Sequence, residues 1–117
     1  MDLNPAVVTE KPWGREVLLA VNAFYAFKEI VVLNGARTSL QSHLEKIESV
    51  FVVEGQMLLE FGLTSDSLES VTLGSGDAYS LAAGEIHRVT GLTDVRYLEA
   101  SSPHLDDVVR HEDDYGR

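Results

Sequence analysis

The stretch that decides the fold is Gly35-Ala-Arg-Thr-Ser-Leu-Gln-Ser-His-Leu-Glu-Lys-Ile-Glu48, with Gly55 seven residues further along the chain. A second stretch, Gly76-Asp-Ala-Tyr-Ser-Leu-Ala-Ala-Gly-Glu-Ile-His87, follows it. Glycines bracket both stretches at places where β-strands are expected to turn. Both contain side chains that can bind a metal, namely Gln41, His43, Glu48 and His87. Gln41 and His43 are two residues apart, so in an extended segment both point to the same face.

These four side chains supply an amide oxygen, two imidazoles and a carboxylate, a mixed set that suits zinc, manganese, iron or nickel. A lone histidine is more often a core residue, but two histidines in two such clusters favour a shared metal site. Glu48 precedes the apolar run Val50–Val53, where a buried carboxylate is costly unless a cation lies beside it. Gln41 is the weakest ligand and could instead hydrogen-bond a substrate. Four protein ligands leave coordination positions open, where a substrate hydroxyl or carbonyl would be polarised.

The composition is that of one soluble domain of 117 residues, with 44% hydrophobic and 24% charged residues. A formal net charge of −10 argues against nucleic-acid or anionic-membrane partners, which need a cationic surface. The chain has no cysteine, which excludes disulfides and thiolate ligands. We find no secretion signal and no apolar run near the roughly 20 residues that span a bilayer, so we expect a cytoplasmic protein.

Short runs of β-branched and aromatic residues between glycines predict an all-β sandwich or barrel. The core is expected at about residues 11–101, followed by a polar, acidic tail at 102–117. One helical turn or two is predicted at Leu105–Val109, after Pro103. The tail could wrap the edge of the barrel, be partly disordered or simply be solvated. The predicted strands are Glu16–Val21, Phe24–Leu33, Thr38–His43, Ser49–Val53, Gln56–Phe61, Leu68–Leu73, Ala78–Leu81, His87–Thr90 and Val95–Ala100.

The two stretches resemble the two sequence motifs of the cupin superfamily, in the spacing G-x5-Q-x-H-x4-E-x6-G and G-x5-A-x-G-x2-H. More narrowly, the chain resembles the cupin domain of type II mannose-6-phosphate isomerases, which usually follows a mannose-1-phosphate guanylyltransferase domain. This likeness runs from about residue 11 to 117. It rests on Lys11-Pro-Trp-Gly14, Ser39-Leu-Gln-Ser-His43, Gly84-Glu-Ile-His-Arg88 and the end of the chain from Asp106 to Arg117.

The resemblance implies a single-domain double-stranded β-helix, or jelly-roll barrel, around a metal. It also implies conversion of mannose 6-phosphate to fructose 6-phosphate in nucleotide-sugar and polysaccharide precursor metabolism. By position, Gln41, His43, Glu48 and His87 would be the ligands, and the glutamine favours zinc, because the zinc phosphomannose isomerases have it. The chain departs from the cupin pattern at Ala82, where proline is usual, and at Gly91, where asparagine is common. It contains no nucleotidyltransferase motif.

An isomerase needs one group that moves a proton and another that stabilises charge on oxygen. Lys46, Arg88 and Glu99 are the catalytic candidates, although a surface role is the alternative for each. Lys46 and Arg88 are candidates for electrostatic help or phosphate binding, as are Arg37 and Lys28. The other conspicuous side chains have structural interpretations: Tyr79 and Tyr97 as packing residues, Trp13 as a seal of the barrel edge, and His104 and His111 as exposed tail residues.

Two other functions remain open from the sequence, a cupin dioxygenase and a non-catalytic module that binds metal and sugar. The basic residues near the ligands favour an anionic sugar over an apolar aromatic substrate. We expect a homodimer that covers an exposed sheet edge. The identity of the general base is not decided by the sequence.

Overall fold

The computed structural model describes residues 1–117, which form eleven β-strands and no helix. The chain therefore contains no helix long and apolar enough to cross a membrane. The strands are β1 (Val7–Lys11), β2 (Gly14–Val21), β3 (Ala26–Val32), β4 (Leu40–Ser42), β5 (Glu48–Glu54), β6 (Gln56–Gly62), β7 (Glu69–Gly74), β8 (Ala78–Leu81), β9 (Ile86–Gly91), β10 (Val95–Ser101) and β11 (Val109–Glu112).

The strands form two antiparallel sheets that pack face to face. One sheet has six strands in the order β1-β2-β3-β10-β5-β8, and the other has five in the order β11-β4-β9-β6-β7. Strands that are distant in sequence lie side by side in both sheets, as in a jelly roll. The core contains residues from both sheets, including Val32, Val52 and Met57, each 0% exposed. The prediction of an all-β jelly roll is confirmed.

Alternation along β5 shows how the sequence specifies this packing. Glu48, Val50 and Val52 are buried, whereas Ser49 and Phe51 between them are exposed, as expected for a strand with one face inward. The turn that follows contains Gly55 at a φ of 86°, a conformation that favours glycine. This turn joins β5 to β6 at the predicted Glu54-Gly55 pair.

The ends of the chain differ most from the prediction. The helix expected at Leu105–Val109 is wrong, because this stretch consists of turns and the start of β11. β11 pairs with β4, so the backbone groups of the tail and of β4 are satisfied in a sheet rather than in a helix. β1, which was not predicted, pairs with β2 at the opposite edge. Val7 and Val8 are both about half exposed, so β1 lacks the alternation by which a strand is recognised in sequence.

Candidate metal centre

Three of the predicted ligands meet inside the jelly roll, beside a cavity of about 330 Å³ that both sheets line. Glu48 begins β5 in the six-stranded sheet, and His87 lies on β9 in the five-stranded sheet. His43 directly follows β4. One ligand atom of each residue lies within 4.8 Å of the others, and all three side chains are buried.

The cluster is built so that both imidazoles present Nε2 to Glu48. His87 Nε2 is 3.0 Å and His43 Nε2 is 3.8 Å from Glu48 Oε1. On the other side of each ring, Nδ1 lies within hydrogen-bonding distance of a backbone carbonyl, of Asp107 for His43 and of Glu85 for His87. Carbonyl acceptors at Nδ1 hold the rings in place and leave Nε2 free to bind a metal.

The surroundings of His43 Nε2 show whether these residues fit a metal. This atom is the only fully buried side-chain nitrogen or oxygen in the structure that has no hydrogen-bond partner. A buried polar atom without a partner costs about 1–3 kcal/mol, and coordination of a cation would remove that cost. Two imidazoles and a carboxylate are also a usual donor set for zinc. The residues therefore fit a divalent metal ion.

Gln41 lies in the same cavity, in the row of residues that contains His87. The Cα atoms of the two residues are register partners across β4 and β9, so their side chains share a face. The Ser39 hydroxyl donates a hydrogen bond of 2.7 Å to Gln41 Oε1, which orients the amide. Its role as a fourth ligand stays a prediction.

Beside the cluster, Lys46 joins two buried carboxylates. Its Nζ lies 3.3 Å from Glu48 Oε2 and 3.2 Å from Glu99 Oε2. Burial raises the pKa of Glu99 to about 7, with a further increase from the negative charge of Glu48 and an opposing effect of Lys46. Burial alone would raise the pKa of Glu48 as well, but its hydrogen bond with His87 and the charge of Lys46 hold that pKa well below the ordinary value.

The two histidines differ in their electrostatics. Burial lowers the pKa of His43, and the hydrogen bond with the Asp107 carbonyl only partly opposes it. Burial also acts to lower the pKa of His87, but the hydrogen bond with Glu48 outweighs it and raises that pKa above the ordinary value. Without a metal, His87 thus binds a proton more readily than His43 does.

The structure does not bring Arg88 or Arg37 to the cavity. Because His87 and Val89 face inward, Arg88 between them points to the outside of β9. Its guanidinium donates a 3.0 Å hydrogen bond to the Thr38 carbonyl and pairs with Glu112 in the tail. Arg37 forms ion pairs in the same tail, including one with Asp114. Of the cations proposed for phosphate binding, Lys28 and Lys46 line the cavity.

Several residues at the site were not predicted as site residues. Tyr79 and Tyr97 line the cavity, and neither hydroxyl has a hydrogen-bond partner, so both are open to a ligand. Trp13 is part of the core and also lines the cavity.

Asp107 receives hydrogen bonds from the backbone amides of Leu44, Glu45 and Lys46 and thereby fixes the segment that carries His43. In contrast, His104 and His111 are exposed. The sequence signal available for the tyrosines is their inward position in alternating strands.

Two facing antiparallel sheets around a buried His-Glu-His cluster define the chain as a cupin. The profile of the family described as "Mannose-6-phosphate isomerase C-terminal" matches residues 5–113, and the chain belongs to this family. The xanthan biosynthesis protein XanB of Xanthomonas campestris pv. campestris is 30% identical over 112 residues. That alignment covers 92% of the chain but only 23% of XanB.

Solved structures share the fold at low sequence identity. The capsular polysaccharide assembling protein CapF from Staphylococcus aureus has a TM-score of 0.78 at 16% identity, over 92% of this chain and 34% of CapF. Oxalate decarboxylase from Bacillus subtilis, which has Mn(II) centres, has a TM-score of 0.76 at 16% identity, over 89% of this chain and 29% of that protein. The chain thus spans about a quarter to a third of the length of these proteins.

Proposed function

We propose that the chain is a metal-dependent aldose–ketose isomerase that interconverts mannose 6-phosphate and fructose 6-phosphate and supplies precursors for polysaccharide synthesis. One observation carries this proposal: a buried His-Glu-His cluster and a Lys46–Glu99 pair lie in the same cavity. Membership of the isomerase family supports the substrate, and the similarity to XanB supports the polysaccharide context.

His43, Glu48 and His87 would hold the ion, with Gln41 as a fourth ligand. Zinc is our first choice, and the Mn(II) of a cupin with the same fold makes manganese the leading alternative. The ion, when bound, supplies a positive charge that polarises substrate oxygens and favours their negative charge.

We assign the proton transfer to Glu99. This carboxylate lines the cavity, is not part of the three-residue cluster and is within hydrogen-bonding distance of Lys46. A base works best when its pKa is near the working pH, and burial raises the pKa of Glu99 to about 7. Glu99 removes the proton from C2 of the aldose. The electron pair of the broken C–H bond forms a C1=C2 double bond, and the electrons of the C1 carbonyl move onto O1.

Lys46 supports this step by its position. Its ammonium group can donate a hydrogen bond to the oxygen that gains charge, in a site shielded from water. To complete the reaction, O1 takes up a proton, the O2 hydroxyl loses one, and Glu99 returns its proton to C1. O2 then becomes the ketone oxygen, and no oxidant or reductant is consumed.

Metal-loaded protein incubated with mannose 6-phosphate in deuterium oxide tests this proposal by NMR. We expect fructose 6-phosphate to form, with deuterium entering at C1 or C2 to the extent that Glu99 exchanges its proton with solvent. Glu99→Gln, which keeps the shape, should lose turnover but retain the metal, whereas His43→Ala should lose both. Substrate left unchanged by metal-loaded protein would refute the proposal.

A non-catalytic module is the second candidate, because the chain corresponds to only 23% of XanB. Binding of sugar phosphate without turnover would assign this function. Oxygen consumption by iron-loaded protein would instead indicate a dioxygenase. The homodimer and the cytoplasmic location stay predictions.

A further inference from the structure

The chain has nine lysines and arginines, and six of them form ion pairs with carboxylates. The three cations without an ion pair or a side-chain hydrogen bond are Lys11, Arg15 and Arg110. Two of these three, Lys11 and Arg110, line the cavity beside the metal cluster. The chain has 19 acidic residues that could pair with these cations, so the lack of a partner for two cations at one cavity calls for an explanation.

We propose that Arg110 and Lys11 form an anion subsite that binds the phosphate group of the substrate. This inference rests on the proposed function for the identity of the sugar, but the anion site itself is defined by the two unpaired cations. Neither residue was a candidate from the sequence, and the arginines that were candidates, Arg37 and Arg88, pair with acidic residues in the tail.

The sheet register places Arg110 on the correct face. Arg110 is the Cα partner of Gln41, which in turn is the partner of His87, so the three side chains share the inner face in one row. Adjacent strands are about 4.8 Å apart, so the Cα atoms of Arg110 and His87, two strands apart, are separated by about 10 Å. Arg110 is exposed, which puts it at the mouth of the cavity. Lys11, at the end of β1, lines the cavity from the opposite sheet.

This arrangement suits a sugar phosphate that enters with its reacting end first. C1 and C2 would lie at the cluster while the phosphate on C6, at the other end of the sugar, stays at the mouth. The other cavity cations are already neutralised: Lys28 by Glu16, Lys46 by two glutamates and Arg117 by Asp113. Arginine is well suited to phosphate, because its planar guanidinium can donate two parallel hydrogen bonds.

Arg110→Gln and Lys11→Gln test the subsite, and Arg15→Gln is the matched control. Arg15 is also an exposed, unpaired cation, but it does not line the cavity. Binding of inorganic phosphate to the metal-loaded protein is measured by titration calorimetry, together with the metal content. Each cavity variant should bind phosphate about tenfold more weakly and keep its metal, because one charge-assisted contact is lost. The control should stay within about twofold of the native protein.

Kinetics give a second measurement that separates this inference from the proposed function. If the protein is an isomerase, Arg110→Gln should raise KM for mannose 6-phosphate and leave kcat nearly unchanged. If it shows no turnover, the loss of phosphate binding in the cavity variants would still support the anion subsite. Phosphate binding that is unchanged in both cavity variants, or weakened equally in Arg15→Gln, would overturn it.

Discussion

Replacement of Lys46 by methionine would remove the only ammonium group within 4 Å of the buried carboxylates Glu48 and Glu99. The side chains of the three residues are only 7%, 4% and 9% exposed, so water cannot replace the lost cation easily. Methionine keeps the length of the apolar part of lysine. The substitution therefore tests the charge with little change in packing.

The contacts give the size of the effect. At an effective dielectric constant of about 20, unit charges 3.2–3.3 Å apart attract by about 5 kcal/mol, which offsets a desolvation cost of several kcal/mol per ion. Loss of one partner of a buried pair costs about 3–5 kcal/mol. We expect the lower end, about 3 kcal/mol for the metal-free protein, because Glu99 has a pKa of about 7 and can take up a proton.

Urea unfolding is the assay, because Trp13 is the only tryptophan and is buried in the core. Lys46→Met should lower the unfolding midpoint without a change in slope, and a divalent metal should restore part of the loss. Arg96→Met is the control, because it removes two ion pairs that are at least a quarter exposed on either partner. A midpoint for Lys46→Met equal to that of this control would refute the electrostatic account of the site.

Three further predictions concern the cluster and the tail. His43→Ala should lose stoichiometric metal by elemental analysis whereas His111→Ala keeps it, and retention of metal by the first variant would contradict the coordination. Hydrogen bonds from the amides of 44–46 lower the pKa of Asp107 to about 2. The stabilisation by Asp107 is therefore complete above about pH 4 and is lost as the pH falls towards 2. Asp107→Asn should flatten the acid side of the plot of unfolding free energy against pH. An unchanged plot would argue that Asp107 does not stabilise the segment 44–46. Tyr97→Phe should leave the unfolding midpoint unchanged but weaken sugar-phosphate binding about fivefold, the value of one hydrogen bond, and equal binding would exclude contact with the hydroxyl.

The sequence predicted the meeting of His43, Glu48 and His87 because ligand-type side chains stand in two glycine-bracketed stretches whose spacing resembles the cupin motifs. A residue two positions from another in an extended segment shares its face, and this rule linked Gln41 to His43. The structure brings the ligand atoms of the three residues together, while metal binding itself stays a prediction.

The same rule explains why Arg88 was a poor candidate for the cavity. It follows His87 directly, and adjacent residues on a strand face opposite sides. Arg88 was chosen because it is next to a predicted ligand in the sequence, although the alternation of side chains along a strand already predicted that it points away from the cavity. Glu99 was a better candidate because it lies on the inward face of β10. Lys46 precedes β5 and reaches the same cavity through its ion pairs with Glu48 and Glu99.

The contribution of the tail could not be read from the sequence. Asp107 and Arg110 lie in a polar, acidic segment without a hydrophobic period. Their positions depend on the pairing of β11 with β4, which is a contact between residues about 70 positions apart. Local propensity gives no information about such a pairing, and it suggested a helix at the place where the strand begins.

The distribution of charge along the strands explains how a small domain tolerates a buried, charged site. On β3, β5, β9 and β10 the inward positions change from charged or ligand side chains at one end to apolar side chains at the other. These series are Lys28, Ile30 and Val32; Glu48, Val50 and Val52; His87 and Val89; and Glu99, Tyr97 and Val95. β3 and β10 pair with Lys28 opposite Glu99 and Val32 opposite Val95, and Glu48 of β5 lies one inward position beyond Glu99, opposite Ser101. The charged side chains therefore share one cavity, which concentrates the desolvation cost there and leaves the rest of the interior as an apolar core. Stability and binding are thereby assigned to opposite ends of the same strands, so Val52→Ala should destabilise the whole domain, while Arg110→Gln at the mouth should change only what the cavity binds.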